Sequence, residues 1–283
     1  MNDDGNVVGL RLQLLDRWRS DLAAWAIPDH ILAGATESPW VLPRGVFTKR
    51  ADRLAAAPSG PSFDHAWAAL EPPGSVLDVG SGPGSACLPL LPRCTALVAV
   101  DTEPDMLALL AQRAVVAGVQ PRLVPGRWPD VAKEAGTADV VTCHHVVYNV
   151  AEIEPFLAAL GGAARRRVVV EMTAEHPLTS LNPLWLRFHG LARPTGPTAD
   201  DLLAILAAMG IHAASERWRR PSGADYESFA ELTDVTRRRL CLPPDRMDDV
   251  ATALVESGID PAHPVDLGSS GRSVVTIWWH ATQ

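Results

Sequence analysis

The sequence feature best suited to bind a ligand is a glycine-rich run that follows the apolar stretch Val76–Val79 and precedes a predicted helix. The glycines at 80, 82 and 84 lack a Cβ, so backbone N–H groups of the turn can approach a ligand closely. A dinucleotide fingerprint, GxGxxG, would require glycine or alanine at position 85, where the chain has Ser85. The third glycine also comes one residue early, and Asp78 precedes the first glycine by two residues. The run therefore predicts cofactor binding, and its spacing disfavours a nicotinamide or flavin cofactor.

The order Asp78-x-Gly80-x-Gly82-x-Gly84 resembles the first motif of class I S-adenosylmethionine (SAM)-dependent methyltransferases. Asp101 ends the next apolar stretch, and the acid at that place in the family hydrogen-bonds both ribose hydroxyls. The resemblance extends over about residues 75–220, with further matches at Pro104, Asp105, Met106 and Asp139. It implies a Rossmann-like, seven-stranded, mostly parallel α/β sheet of order 3-2-1-4-5-7-6, with the last strand antiparallel. It also implies enzymatic transfer of a methyl group from SAM.

The same resemblance implies a set of residues that bind SAM. They are Asp78, Gly80, Ser81, Gly82, Gly84, Asp101, Thr102, Met106, Arg127, Trp128 and His144. The sequence departs from the family after the third strand, where an Asp usually holds the adenine amino group. Here the run is Gly126-Arg127-Trp128-Pro129, and Asp130 is displaced. We therefore expect the backbone around Arg127 and packing on Trp128 to recognise adenine, which puts Asp130 in doubt as a ligand.

Two adjacent histidines follow the fourth predicted strand, at the sheet edge where ligands of parallel sheets bind. A neutral imidazole suits general-base chemistry because its pKa lies near physiological pH. The resemblance favours His144 near the transferred methyl group, as the catalytic residue, with His145, Tyr148 and Asn149 shaping the substrate pocket. The alternative is that each histidine only forms hydrogen bonds within the loop.

The segment 175–197 is rich in polar and aromatic residues between prolines, which is typical of a functional loop. We predict a lid over the substrate that contains His176, Trp185 and His189. The alternative is a short helix packed on the sheet through Leu184, Trp185, Leu186 and Phe188. His144, His145, His176, His189 and Glu171 could instead bind a divalent ion. No pair among them has the i, i+4 spacing of helical ligands, so we predict no metal.

The elements that must position these residues alternate between strand and helix from Ser75 onward, which predicts βαβ units and a parallel sheet. We predict a helical N-terminal cap over residues 1–70 and a SAM-binding core over 71–221. A two-helix insertion is expected over 222–268, followed by the last antiparallel strand of the core over 269–283. The runs 165–167 and 237–239 consist of arginine, but the first precedes a strand and the second ends a helix, where positive charge is favourable.

Composition limits the partners. The chain has 25 Lys and Arg against 33 Asp and Glu, a net charge of −8, which argues against nucleic acid as a partner. No apolar run is long enough for a membrane span, and Met1–Asn6 lacks the basic residues of a signal peptide. Four cysteines without a CxxC motif fit reduced thiols, so we expect a cytoplasmic protein. A homodimer stays open. We expect a small-molecule methyl acceptor. An RNA or protein methyltransferase and a SAM-binding protein without activity stay open.

Overall fold

The computed structural model describes residues 3–40, 44–223 and 225–281. Residues 1, 2 and 41–43 of the predicted cap, 224 of the insertion and 282–283 of the last segment lie outside these ranges. Within them the helices are α1 (Asp3–Ala23), α2 (Asp29–Leu32), α3 (Arg44–Ala56), α4 (Pro61–Ala69), α5 (Pro104–Val116), α6 (Ala132–Ala135), α7 (Ile153–Ala163), α8 (Asn182–His189), α9 (Ala199–Ala208), α10 (Phe229–Arg239) and α11 (Met247–Glu256). The strands are β1 (Gly74–Val79), β2 (Cys94–Asp101), β3 (Arg122–Pro125), β4 (Ala138–His144), β5 (Ala164–Thr173), β6 (Ala214–Arg219) and β7 (Ser273–His280).

The strands form one sheet in the order β3-β2-β1-β4-β5-β7-β6. Strands β1 to β5 pair in parallel, whereas β7 is antiparallel to both β5 and β6. The central strands are continuous apolar runs because helices cover both faces of the sheet, and Val76, Leu77 and Val79 are buried. The predicted fold class is confirmed. The predicted domain boundaries stay predictions.

One local prediction about a helix needs correction. The segment after the glycine run forms turns and then a 3₁₀ helix, Leu88–Arg93, where an α-helix was expected. Pro89 and Pro92 lie within it, and proline supplies no backbone N–H for an α-helical hydrogen bond.

The N-terminal helix is attached to the core by tryptophans. The Trp18 indole N–H donates to the Val150 carbonyl at 2.8 Å, and the Trp25 indole N–H donates to the Gly196 carbonyl at 2.6 Å. Trp18 is fully buried, in the same apolar cluster as residues of α7 and α9. Helix α1 therefore packs against α7 and α9, next to the loop that follows β4.

The elements α8, α10 and α11 form a separate apolar cluster beside the sheet. Leu184 and Trp185 of α8 pack there with Leu232 of α10 and Val250 of α11, whereas Leu186 is exposed. The helix expected in segment 175–197 thus exists, but it packs against the insertion and not on the sheet. No helix in the described ranges is both long and apolar enough to span a membrane.

Candidate active site

The glycine run turns sharply at the end of β1 and is fastened to β2. The N–H groups of Gly80 and Ser81 both donate to the Val100 carbonyl, at 2.8 and 3.0 Å. Gly80 has φ +68, and a Cβ there would collide with Val146 in the loop after β4. Gly82 has φ +50, and a Cβ there would meet no atom within 4 Å. One glycine therefore permits close packing of two loops, while the next faces open space that a ligand can enter.

Asp101 lies at the end of β2, opposite this turn. Its Oδ2 accepts from the Gly82 N–H at 2.7 Å and its Oδ1 from the Glu103 N–H at 2.9 Å. These bonds fix the carboxylate, and each oxygen has a further lone pair for a hydroxyl donor. The carboxylate is half-buried and borders two cavities.

The first of these cavities, of 280 Å³, contains polar atoms that lack a partner. Asp78 Oδ2, Ser81 Oγ and His144 Nε2 are buried and have no hydrogen-bond partner among the described residues. Asp78 Oδ1 accepts from Thr142 Oγ1 at 2.8 Å, and burial raises the pKa of this carboxyl. An unsatisfied buried polar atom costs about 1–3 kcal/mol. Three such atoms around one cavity indicate that a polar ligand satisfies them.

The second cavity, of 430 Å³, is also bordered by Asp101 and is lined by polar as well as apolar groups. Thr102, Arg127 and Trp128 line it, as predicted residues of the cofactor set, whereas Met106 lines the first cavity. Trp128 is buried, and its indole N–H donates to the Phe156 carbonyl at 3.3 Å. Both cavities are lined by Gly80, Asp101, His145 and Val146, so together they form one space, here called the glycine-loop groove.

The described residues of the glycine-loop groove fit a bound SAM molecule. Carboxylate oxygens at Asp101 suit the ribose hydroxyls, and the Trp128 ring in the lining suits adenine. The unsatisfied atoms of Asp78, Ser81 and His144 suit the charged amino-acid end. Asp130 is exposed and does not line the groove, in agreement with the doubt about it as a ligand. Gly84 does not line it either, because its Cα hydrogen faces Leu88 and Leu110.

A third cavity, of 410 Å³, lies beside the groove and is called the aromatic cavity below. The Trp25 ring stacks on His176 at a centroid distance of 4.2 Å, and Tyr148 meets His176 edge-on at 5.6 Å. The predicted substrate residues that line this cavity are His145, Tyr148, Asn149, His176 and Trp185. His189 is not among its lining residues, because its Nε2 lies 2.7 Å from the Leu240 carbonyl oxygen and its ring lies against Trp185.

Three arginines that line the aromatic cavity were absent from the predicted set: Arg50, Arg193 and Arg239. Arg50 and Arg193 carry no local sequence signal, since one lies in the helical cap and the other in the proline-rich segment. Arg239 belongs to a run of three arginines, but only the structure distinguishes it from its neighbours. Arg237 and Arg238 pair with Asp234 on the same helix.

His145 is the residue that joins all three cavities. Its Nδ1 lies 2.6 Å from the Tyr148 hydroxyl oxygen and its Nε2 lies 3.0 Å from Glu171 Oε1. Glu171 in turn forms a buried ion pair with Arg220. His144 lines the glycine-loop groove but not the aromatic cavity.

The surroundings of His145 keep its imidazole neutral. Burial lowers the pKa of His145, although the hydrogen bond with Glu171 opposes the effect. Burial disfavours an ionised Glu171, but Arg220 and both histidines outweigh it and hold the pKa of that carboxyl well below its usual range. A neutral His145 next to an ionised Glu171 is ready to accept a proton. Within the described ranges, no group of three or more His, Cys, Asp or Glu side chains is arranged to hold a metal ion.

Comparisons with known proteins agree with this geometry. Residues 76–166, from β1 into β5, match a family model described as a methyltransferase domain. The YcgJ protein of Bacillus subtilis matches with a TM-score of 0.51 at 17% identity, over 78% of this chain and 98% of that one. Magnesium protoporphyrin IX methyltransferase (ChlM) from Synechocystis PCC 6803, crystallised with S-adenosylhomocysteine (SAH), gives a TM-score of 0.46 at 24% identity, over 62% of this chain and 77% of that one. No curated protein matches the sequence significantly.

The residues matched by the family model line mainly the glycine-loop groove, and the residues outside the match line mainly the aromatic cavity. The matched range contains the glycine run, Asp101, Arg127 and Trp128, which line the glycine-loop groove or shape its turn. Most walls of the aromatic cavity come from outside it, from the cap, from residues 176–193 and from residues 239–269. The likeness to YcgJ shows a shared fold and nothing finer.

Proposed function

We propose that this chain, a class I SAM-dependent methyltransferase, methylates an oxygen, nitrogen or carbon nucleophile of a small molecule bound in the aromatic cavity. The observation that supports this most is the meeting of the aromatic cavity and the glycine-loop groove at His145. A cavity of 410 Å³ with mostly apolar walls and a few polar groups has the size and character of a small-molecule site.

The groove supplies the residues that would hold the methyl donor. Asp101 would accept the ribose hydroxyls, and Trp128 with the backbone at Arg127 would recognise adenine. Asp78, Ser81 and His144 would satisfy the polar amino-acid end. Bound SAM supplies a sulfonium methyl group, whose carbon forms a bond to the acceptor while the sulfur keeps the electron pair of the broken S–C bond. Holding the two reactants in line provides most of the acceleration.

The chain's own part in proton removal falls to His145 in this proposal, in preference to His144. When the His145 proton is on Nε2, toward Glu171, its Nδ1 accepts the Tyr148 hydroxyl proton. A proton leaving the acceptor passes to the Tyr148 oxygen as the Tyr148 proton moves to Nδ1. The ionised Glu171 then stabilises the imidazolium, as a buried carboxylate does in other histidine-base sites. His144 remains on the donor side of this arrangement.

Isothermal titration with SAH tests the donor site. We expect one site per chain, and we expect no competition from NAD. An absence of SAH binding, or tight binding of NAD in its place, would overturn the proposed function.

Methyl transfer to a panel of aromatic hydroxyl and amino compounds, followed with labelled SAM, tests the proton path. His145→Asn and Tyr148→Phe should each lower kcat about 10²-fold or more while leaving SAH affinity unchanged. His144→Asn should affect mainly SAH affinity. The reverse pattern, with kcat sensitive to His144 alone, would restore the sequence-based choice of His144 as base.

A further inference from the structure

Among the described residues, the aromatic cavity is lined by more arginines than carboxylates. The described ion pairs beside it are Arg50 with Asp266 at 2.6 Å and, just behind, Arg53 with Asp225 at 2.6 Å. Arg193 and Arg239 line the same cavity, yet neither has a carboxylate partner among the described residues. The cavity of a chain with net charge −8 therefore carries an excess of positive charge.

Asp266 is the one carboxylate among the described residues that lines the cavity, and its oxygens already accept several hydrogen bonds. Asp266 Oδ2 accepts from Arg50, from the Ser269 N–H at 3.1 Å and from Ser269 Oγ at 3.2 Å. Its Oδ1 accepts from the Gly268 N–H at 3.0 Å. The Asp266 charge opposes the lowering of the Arg239 pKa by burial, but Asp266 pairs with Arg50 and forms no ion pair with Arg239.

Arg239 is the less satisfied of the two remaining arginines. Arg193 donates to the carbonyls of Trp25 and Ala26, and its guanidinium lies 4.9 Å from the Trp185 ring centroid. By contrast, Arg239 makes no hydrogen bond to any described residue, and its Nε is buried. Burial lowers the pKa of Arg239, and burial together with Arg272, Arg193 and Arg239 lowers the pKa of His176 to about 4. A half-buried guanidinium whose donors have no acceptor among the described residues can form charge-assisted hydrogen bonds with an anion.

The location of Arg239 tells which end of a substrate it would meet. Arg50 and His145 line both the aromatic cavity and the glycine-loop groove, so they mark the side on which the methyl donor binds. Arg193 and Arg239 line the aromatic cavity alone. The stacked Trp25 and His176 rings also line the aromatic cavity and offer flat surfaces to an aromatic ligand.

We propose that the methyl acceptor is an aromatic oxyanion, such as a hydroxylated aromatic carboxylate, whose anionic group binds Arg239 at the end of the aromatic cavity away from the methyl donor. This inference rests on the proposed function and narrows its substrate class. A guanidinium binds a carboxylate with paired, charge-assisted hydrogen bonds, which also fix the orientation of the ring. In this orientation the nucleophile is a second group near His145, and the carboxylate itself is not methylated.

The test compares two probes of nearly the same shape, one anionic and one neutral: 6-hydroxy-2-naphthoate and its amide, 6-hydroxy-2-naphthamide. Tryptophan fluorescence or calorimetry measures their affinities with and without saturating SAH. The wild-type protein should bind the carboxylate at least about ten-fold more tightly than the amide. Arg239→Gln should reduce that ratio to less than about two-fold, whereas Arg239→Lys should retain part of it.

Arg187→Gln is the matched control, because Arg187 is an exposed arginine of α8 that pairs with Glu256. It should leave the ratio unchanged, and none of the three variants should alter SAH affinity. A wild-type ratio near one, binding of neither probe, or an unchanged ratio in Arg239→Gln would each overturn the inference. Loss of SAH binding by the wild type would instead overturn the proposed function, and the measurements without SAH would still decide the charge preference.

Discussion

The glycine-loop groove and the aromatic cavity are built in different ways. The groove comes from turns at the ends of neighbouring parallel strands, and the methyltransferase-domain match spans nearly all of it. The aromatic cavity is assembled from the helical cap, the loop after β4, residues 176–193, the end of α10 and the loop before β7. Under the proposed function, donor binding is therefore a property of the sheet, while acceptor specificity depends on elements that have no place in it. We then expect the acceptor site to tolerate changes that leave the donor site intact.

The largest effect is expected where the two regions meet, at the buried ion pair of Glu171 with Arg220. Glu171→Gln leaves a buried arginine uncompensated, which should lower the free energy of unfolding by about 3–5 kcal/mol. Urea denaturation measures this loss. Glu152→Gln is the control, because it breaks an exposed ion pair with Arg19 and should leave the midpoint unchanged. Equal midpoints for the two variants would mean that the pair does not hold the two regions together.

Acid should destabilise the protein through the aromatic cavity. Burial lowers the pKa of His176 from 6.5 to about 4, so the unfolded chain binds a proton at a pH where the folded chain does not. Stability therefore falls as the pH is lowered from 6.5 towards 4, by about 3 kcal/mol from this residue. Unfolding free energies measured at several pH values provide the slope.

His176→Asn isolates that contribution from the other buried histidines. His176 Nδ1 accepts from the Leu178 N–H at 3.3 Å as an N-cap, and asparagine can replace this bond. The variant should show a flatter dependence of stability on pH between 6.5 and 4. A slope equal to that of the wild type would show that His176 is protonated in the folded protein.

In the groove, Asp101→Ala should weaken SAH binding by about 1.5–3 kcal/mol, the value of hydrogen bonds to a charged group. The neutral-amide and carboxylate probes of the aromatic cavity should bind as they do to wild type. Asp130→Ala is the matched control, since this nearby aspartate is exposed and does not line the groove. Calorimetric titration with SAH measures the affinities of the wild type, Asp101→Ala and Asp130→Ala. Equal weakening by both variants would contradict the assignment of Asp101 to the donor site.

The smallest effect concerns the stability of the free protein. Because Arg239 makes no hydrogen bond to a described residue, Arg239→Gln should raise the free energy of unfolding by about 0.5–1 kcal/mol. The gain should disappear when 6-hydroxy-2-naphthoate is added, since the ligand binds the protein with the arginine more tightly and therefore stabilises it more. Thermal or urea unfolding with and without this probe makes the comparison. A loss of stability in the ligand-free variant would show that Arg239 has a structural role.

The same contrast explains what the sequence could predict. Asp78, the glycines and Asp101 are recognisable because the turn at a strand end demands particular backbone conformations at fixed spacing. The strand order followed from the family resemblance, and the structure confirms it. The 3₁₀ helix at Leu88–Arg93 was missed because the motif outweighed Pro89 and Pro92 in the prediction.

The aromatic cavity was predictable only in part. His145, Tyr148 and His176 were found because they lie at strand ends or in an unusual loop, but their mutual distances depend on tertiary packing. Arg239 could not be separated from Arg237 and Arg238, since all three have the same sequence context. His189 was expected in the pocket, yet the contact with the Leu240 carbonyl depends on how α8 meets α10, which no local pattern encodes.

The attachment of the first helix has a consequence for biosynthesis. Trp18 bonds to a carbonyl 132 residues later in the chain, and Trp25 to one 171 residues later. At about 5–20 residues per second, a ribosome needs on the order of 10 to 30 s to reach Gly196 after it has made Trp25. Until Val150 and α7 have been made, the apolar side of α1 lacks the partners that it contacts in the folded chain and is available to chaperones. Most of the glycine-loop groove is encoded between Trp25 and Gly196, so it is synthesised before the Trp25 contact with Gly196 can form.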